Sequence, residues 1–231
     1  VIFLLNPAMN LKLQAYSEIL KRIISTEYQP GQRISEKELS QELNIGRTPI
    51  REALLQLRQE GLINVVPQSG TYITKIDLCV AISARFIRES IETRIVKEAT
   101  ALNDRTAMAK LQKTIANQKF FSKQKEFEKF FGEDEAFHRE FYLMTNHQQV
   151  WEWLQTTNMQ LNRFRMLRLK VKTLPWESLI NEHEKILKAV KNHEPDEAER
   201  LIANHLHLML DEKDALLNTF PDYFTNVPDK K

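Results

Sequence analysis

A single cysteine, Cys79, stands among the 231 residues. It leaves no intrachain disulfide framework and no cysteine-rich zinc site to consider, and it fits a reducing compartment, so the cytoplasm is the expected location. Glycine is scarce, five in all, which excludes a Gly-rich phosphate loop; no nucleophile elbow and no solenoid-length repeat is present. Long apolar runs are absent too. The opening Val1–Leu5 stretch lacks a basic flank and is far too short for a bilayer, so it reads as a tail before the first helix and no membrane partner is expected. A net charge of only +2 excludes a polycation that wraps nucleic acid indiscriminately, so any DNA contact must be local. The slight excess lies in residues 1–76, with nine Lys/Arg against seven Asp/Glu; residues 77–231 hold twenty-four of each.

What is present is normal for a soluble globular chain of two domains, 42% hydrophobic and 28% charged. Apolar residues recur every three to four positions almost throughout, so the class is mainly α. Leu13, Tyr16, Ile19, Leu20, Ile23 and Ile24 predict a first helix closed by Pro30-Gly31. Ser35, with Glu38 three residues on, is a capping box that opens a second. After the turn Asn44-Ile45-Gly46, Thr48 is expected to cap a third helix with Pro49 at its first position. Ile50, Ala53, Leu54 and Leu57 give that helix one buried face and leave Arg47, Thr48 and Arg51 free near its N-terminus. Two β-prone runs, Ile63–Val66 and Thr71–Thr74, then flank Pro67-Gln68-Ser69-Gly70, which predicts a hairpin. A helix-turn-helix followed by such a wing suits DNA: guanidinium groups at a helix start reach phosphates and guanine edges, and a glycine tip lets the backbone approach the minor groove.

The runs Arg33-Ile34-Ser35-Glu36-Lys37-Glu38-Leu39 and Gly46-Arg47-Thr48-Pro49-Ile50-Arg51-Glu52-Ala53-Leu54, extended by Glu60-Gly61-Leu62-Ile63 and Gly70-Thr71, resemble the winged helix of the GntR family. The resemblance implies that Lys37, Arg47, Thr48 and Arg51 contact operator DNA, with Ser69 and Gly70 at the wing tip. Gly46 stands where the family usually has a serine or threonine, which removes one hydroxyl contact.

From residue 77 onward the pattern predicts an all-α antiparallel bundle of six helices: about 78–102, 106–119, 123–144, 148–169, 174–192 and 196–218. Domains are accordingly expected at 1–76 and 77–231. Four polar residues fall where helical phase predicts burial. Asp134 and His138 lie on the face of Phe127, Phe130, Phe131, Phe137 and Phe141. His183 lies in the stripe of Leu179, Ile180, Ile186, Leu187 and Val190, and His205 in that of Leu201, Ile202, Leu208 and Met209. By contrast His147 and His193 sit near helix ends, and His207 is out of phase. Three imidazoles and a carboxylate converging in a core make a site for a divalent transition metal, zinc or nickel first, with positions left for ligand oxygens.

Asp134-Glu135-Ala136-Phe137-His138, then Glu182-His183 and His205-Leu206, resemble the FCD ligand-binding domain of the FadR subgroup. The resemblance implies Asp134, His138, His183 and His205 as metal ligands, an organic acid as effector, and Arg88 facing its pocket. Arg88 and Glu92 share a face with Ile91, Ile95 and Ala99, and read equally as effector contacts or as a simple i,i+4 ion pair; Arg165 is a further candidate. The expected function is a repressor that binds operator DNA as a homodimer under effector control. A metal-dependent enzyme, and a regulator whose metal is purely structural, remain the alternatives.

Overall fold

The computed structural model describes residues 7–102 and 104–228, with side chains from residue 11; the Val1–Leu5 run lies outside them. Contacts divide the chain into two compact units, one running to Ile76 and including Asp222–Thr225, the other taking Asp77–Pro221 and the residues from Asn226.

In the first unit α1 (Pro7–Ile24), α2 (Glu36–Glu42) and α3 (Arg47–Gln59) enclose Ala15, Ile19, Ile23, Leu39, Ile50, Ala53 and Leu57. Leu13, read from its spacing as part of the α1 face, is 62% exposed; Ala15 takes the core position. Ser35 caps α2 by accepting from the Glu38 N–H at 3.2 Å. The cap of α3 differs from expectation. Gly46 is its N-cap and Arg47 its first residue, so Thr48 does not cap and Pro49 occupies the third position. There too its missing N–H costs nothing, because the first four helical N–H groups have no intrahelical acceptor.

The hairpin of β2 (Ile63–Val66) and β3 (Gly70–Ile73) pairs Val66 with Gly70, so the loop is Pro67-Gln68-Ser69 and Gly70 begins the return strand. A third strand, β1 (Arg33–Ile34), pairs antiparallel with β3 through Arg33↔Tyr72 and Ile34↔Thr71. Sequence pattern missed it because two residues carry no period. Gly70 has φ +143°, and a Cβ there would lie 2.7 Å from Arg33 Nε, so glycine is required where the two strands meet.

The second unit contains α4 (Leu78–Thr100), α5 (Arg105–Gln124), α6 (Phe127–Met144), α7 (Gln148–Thr157), α8 (Met159–Arg168), α9 (Trp176–Lys191) and α10 (Pro195–Thr219). Asp77 caps α4 and Asp104 caps α5, each with its carboxylate on first-turn N–H groups. The helix expected over 148–169 is two helices, α7 and α8, divided at Asn158, which is buried with φ −85° and ψ 4°. Asparagine is a poor helix former, which favours a break there over helix interior. α4 packs on α10, α8 and α6, and α5 on α6 and α9. Their shared core runs through Ile95, Leu111, Phe130, Phe137, Phe141, Ile186 and Ile202, with the Trp176 ring packed 4.7 Å from that of Phe130. A two-residue pair of strands, β4 (Ile76–Asp77) and β5 (Phe224–Thr225), completes the topology.

Candidate metal centre and nucleic-acid interface

In the first unit Lys37, Arg47, Thr48, Arg51 and Ser69 are all exposed, while Gly70 is half-buried. Arg47 and Thr48 lie in the first turn of α3 and Arg51 one turn further. Arg51 donates to the Glu36 carboxylate at 3.1 Å, which tethers the guanidinium to the α2 start without burying it. At the wing, the Ser69 and Tyr72 hydroxyls share a hydrogen bond at 2.7 Å.

In the second unit α6, α9 and α10 carry Asp134 and His138, His183, and His205 to one buried locus. The three histidines present ring nitrogens within 4.8 Å of one another. Each turns its Nδ1 outward to an acceptor: His183 donates to Gln118 Oε1 and His205 to Glu182 Oε2, both at 2.8 Å, and His138 to Glu92 Oε1. An Nδ1–H tautomer leaves every Nε2 as a bare lone pair pointing inward. His183 Nε2 and His205 Nε2 face one another at 3.2 Å, and His138 Nε2 is buried with no hydrogen-bond partner. Asp134 completes the locus, 3.8 Å from both His138 Nε2 and His183 Nε2. Two lone pairs at that separation repel unless a cation lies between them, and nitrogen ligands on one zinc-like ion at about 2.1 Å are themselves about 3.0–3.4 Å apart. The donor set therefore fits a divalent metal.

The electrostatics favour the same occupant. Burial, and then the nearby Arg88, push the His138 pKa well down; burial and the adjacent His205 do so for His183. Both imidazoles are thus neutral, the form that binds metal. Burial alone would raise the Asp134 pKa, but the adjacent Arg165 guanidinium outweighs it and holds the carboxyl below its usual range. Phe137 stacks on His183 with centroids 4.3 Å apart and fixes that ring.

Beside the cluster lies a cavity of about 70 Å³ lined by Arg85, Arg88, Arg165 and Arg168 with Asp134, His205 and apolar residues of α6, α8 and α10. Arg165 donates to Asp134 Oδ2 and, at 2.5 Å, to Glu135 Oε1. Arg88 donates to Glu92 Oε2 at 2.9 Å, and its Nη2 is buried without a partner. Glu92 does not line the cavity: its carboxylate is fully buried between Arg88, His138 and Tyr142, so here it positions two side chains. Arg88 makes the i,i+4 ion pair with Glu92 and also lines this cavity. Gln118, Glu182 and Arg85 were missed. Gln118 follows Ala107, Leu111 and Ile115 in helical phase, and Arg85 follows Leu78 and Ala81, so both were legible as in-phase polar residues; Glu182 lies off its apolar stripe and carried no such signal.

Residues 11–73 match the family of bacterial regulatory proteins, gntR family, and residues 84–208 match the FCD domain. The chain is a GntR-family transcription regulator with an FCD domain. Its curated relatives include the HTH-type transcriptional repressor RspR of Escherichia coli K12, 29% identical over 87% of this chain and 88% of the relative. The gluconate operon transcriptional repressor of Bacillus licheniformis is 27% identical over 84% and 80%. Escherichia coli McbR/YncC shares the fold with a TM-score of 0.75 at 20% identity, over 91% of this chain and 98% of its own. A GntR regulator from Rhodococcus sp. RHA1 does so with a TM-score of 0.70 at 16% identity, over 92% and 98%. The relatives are regulators and not enzymes, and so is this protein. Membership carries DNA binding through the helix-turn-helix and a small-molecule effector for the FCD domain, in which metal sites are common. Among the described residues no helix is long and apolar enough to cross a membrane.

Proposed function

We propose that this regulator represses transcription in the cytoplasm as a homodimer on a pseudo-palindromic operator, and that a small carboxylic acid bound beside a divalent metal ion, zinc or nickel, changes its operator affinity. In this reading residues 1–76 form the DNA-binding domain and the helical remainder the effector and dimerisation domain. Lys37, Arg47, Thr48 and Arg51 meet phosphates and base edges, with Ser69 and Gly70 at the wing. Asp134, His138, His183 and His205 hold the metal, whose open coordination positions accept carboxylate oxygens. Arg88 and Arg165 supply cationic donors to the same acid, and Glu92 holds Arg88 and His138 in place.

The observation that carries the reading is the set of three inward Nε2 lone pairs, two of them 3.2 Å apart, next to an arginine-lined cavity. Coupling has a covalent route: α4, which bears Arg88 and Glu92, begins at Leu78, directly after the first unit ends at Ile76 and the Asp77 cap. An effector acts only through its different affinity for DNA-competent and incompetent arrangements, so a shift of α4 on acid binding would suffice.

The test combines native mass spectrometry with anisotropy titration of an operator fragment. The expected result is a dimer with one metal per chain whose operator affinity changes when a carboxylic acid is added, and a His183→Ala variant that binds DNA but loses metal and acid response together. An acid response that survives in His183→Ala overturns the proposal.

A further inference from the structure

The three-stranded sheet of the first unit holds a cation that none of the DNA contacts above uses. Residues directly opposite on antiparallel strands share a face, as do residues two apart on one strand. The pairings Arg33↔Tyr72, Asn64↔Tyr72 and Val66↔Gly70 therefore put Arg33, Asn64, Val66, Gly70 and Tyr72 on one face. The opposite face carries Ile34, Ile63 and Ile73 and is core. Arg33, Asn64 and Val66 are exposed. From its place opposite Tyr72, the Arg33 side chain runs along β3 to Gly70, where a Cβ would lie 2.7 Å from its Nε and 3.4 Å from its Cζ and Nη2. Two residues of strand span about 7 Å, so the guanidinium sits that far toward the wing loop. The missing Cβ gives it room. Arg22 and Arg51 are held by acids, the first by Glu18, Glu27 and Glu42 and the second by Glu36. Arg33 has no hydrogen bond or ion pair among the described residues, and residues 61–76 contain no Asp or Glu. An exposed guanidinium with its five donors free, on a face without acids, is complementary to a phosphate-lined groove.

We infer that Arg33, from β1 and not from the wing loop, is the side chain that enters the minor groove, and that it sets a preference for A·T pairs beside the bases met by α3. This rests on the docking of α3 in the major groove proposed above and is independent of the metal and the acid. A·T-rich segments have a narrow minor groove whose negative potential is enhanced, which draws arginine in. A G·C pair instead places the guanine 2-amino group on the groove floor, where it meets the guanidinium as donor against donor. Arginine suits the role better than lysine, because a planar guanidinium is more weakly hydrated than an ammonium and loses less on entering a narrow groove. β1 gives the side chain a fixed base: besides the two strand pairs, the Gly31 N–H donates to the Ile73 carbonyl and the Ile73 N–H to the Gln32 carbonyl, both at 2.9 Å.

The experiment selects duplexes from a randomised library on the full-length protein and on its Arg33→Gln variant, then measures the recovered duplexes by fluorescence anisotropy. The expected result is a core sequence flanked by A·T pairs for the wild type, and the same core with random flanks for Arg33→Gln. For the wild type, replacing the flanking A·T pairs by G·C weakens binding about tenfold or more. Replacing them by inosine·C, which has the major-groove edge of G·C without the 2-amino group, restores it. Arg33→Gln binds the three duplexes alike, and Arg33→Lys keeps the salt slope but loses most of the A·T preference. No flank preference in the wild type, or one that survives in Arg33→Gln, overturns the inference. So does an inosine·C duplex that behaves as G·C, since the flank is then read from the major groove. Arg33→Gln that weakens all three duplexes equally, with the preference intact, makes Arg33 a phosphate contact and overturns it as well. Core selection that persists when Arg47→Ala and Arg51→Ala are combined overturns the α3 docking itself, and with it this inference.

Discussion

Arg165 donates to Asp134 through the same carboxylate oxygen, Oδ2, that stands 3.8 Å from His138 Nε2. The other oxygen, Oδ1, stands 3.8 Å from His183 Nε2, so in the proposed metal site guanidinium and metal draw on the charge of one carboxylate. On that proposal a metal ion would loosen the Arg165 contact and leave the guanidinium for an incoming carboxylate in the cavity it lines.

That competition gives a prediction with opposite signs. Arg165→Gln removes a cation beside the metal site, so zinc affinity measured by competition with a chromophoric chelator should rise severalfold. Acid affinity of the zinc-loaded variant should fall about tenfold or more, the loss of one charge-assisted hydrogen bond. A fall in both would mean that Arg165 serves mainly to shape Asp134.

Gln118 fixes the His183 tautomer at 2.8 Å from Nδ1. Gln118→Leu should lower zinc affinity by about 10–100-fold, the usual effect of losing an outer partner of a metal-bound histidine, with the helical circular dichroism unchanged. The protein saturated with zinc at about 100 times its dissociation constant should melt roughly 5–10 °C above the chelator-treated protein, and His183→Ala should abolish that difference.

Metal-free protein should be acid-sensitive in a defined window. His138 and His183 have folded pKa values well below 6.5, so between those values and 6.5 the unfolded chain binds more protons. Their stabilising contribution is complete above 6.5 and declines as pH falls, by at most about 2.7 kcal/mol per pH unit for two protons. Asp134 acts later, since its pKa is held below the ordinary 3.8 and its contribution is lost only under acid stronger than that. Urea unfolding of chelator-treated protein at pH 7.5, 6 and 5 measures the slope; a flat profile would show that the imidazoles are not desolvated.

On the DNA side, Arg47→Ala or Arg51→Ala should cost about 1–3 kcal/mol in specific operator binding if the side chain reads a base. Lys37→Ala should instead weaken all sequences alike and reduce the salt slope by about one. Anisotropy titrations at three salt concentrations, on operator and scrambled duplexes, separate the two behaviours.

Gly70→Ala should destabilise the hairpin by about 1–3 kcal/mol, because alanine is strained at this dihedral and its Cβ would press on Arg33. Amide exchange at Val66 and Tyr72 should accelerate accordingly, while exchange in α6 stays unchanged.

The periodicity of apolar residues was enough to find α1 to α6, α9 and α10, and the composite of Ser35, Gly46–Leu54 and Gly70 was enough to read a winged helix-turn-helix. Phase alone sorted the six histidines, since His138, His183 and His205 sit within apolar stripes and are buried while His207 lies outside its stripe and is exposed. A helix repeats every 3.6 residues wherever it lies, so a sequence states which face is buried without stating what it meets. Only tertiary packing brought Gln118 of α5 against His183 of α9, aimed three Nε2 lone pairs at one point, and left Arg85 and Arg88 each with an unanswered donor. Those relations join residues 22 to 65 positions apart or depend on which nitrogen faces inward. Short-range pattern has no term for either, and it likewise overlooked β1, a pairing of only two residues, and the break at Asn158.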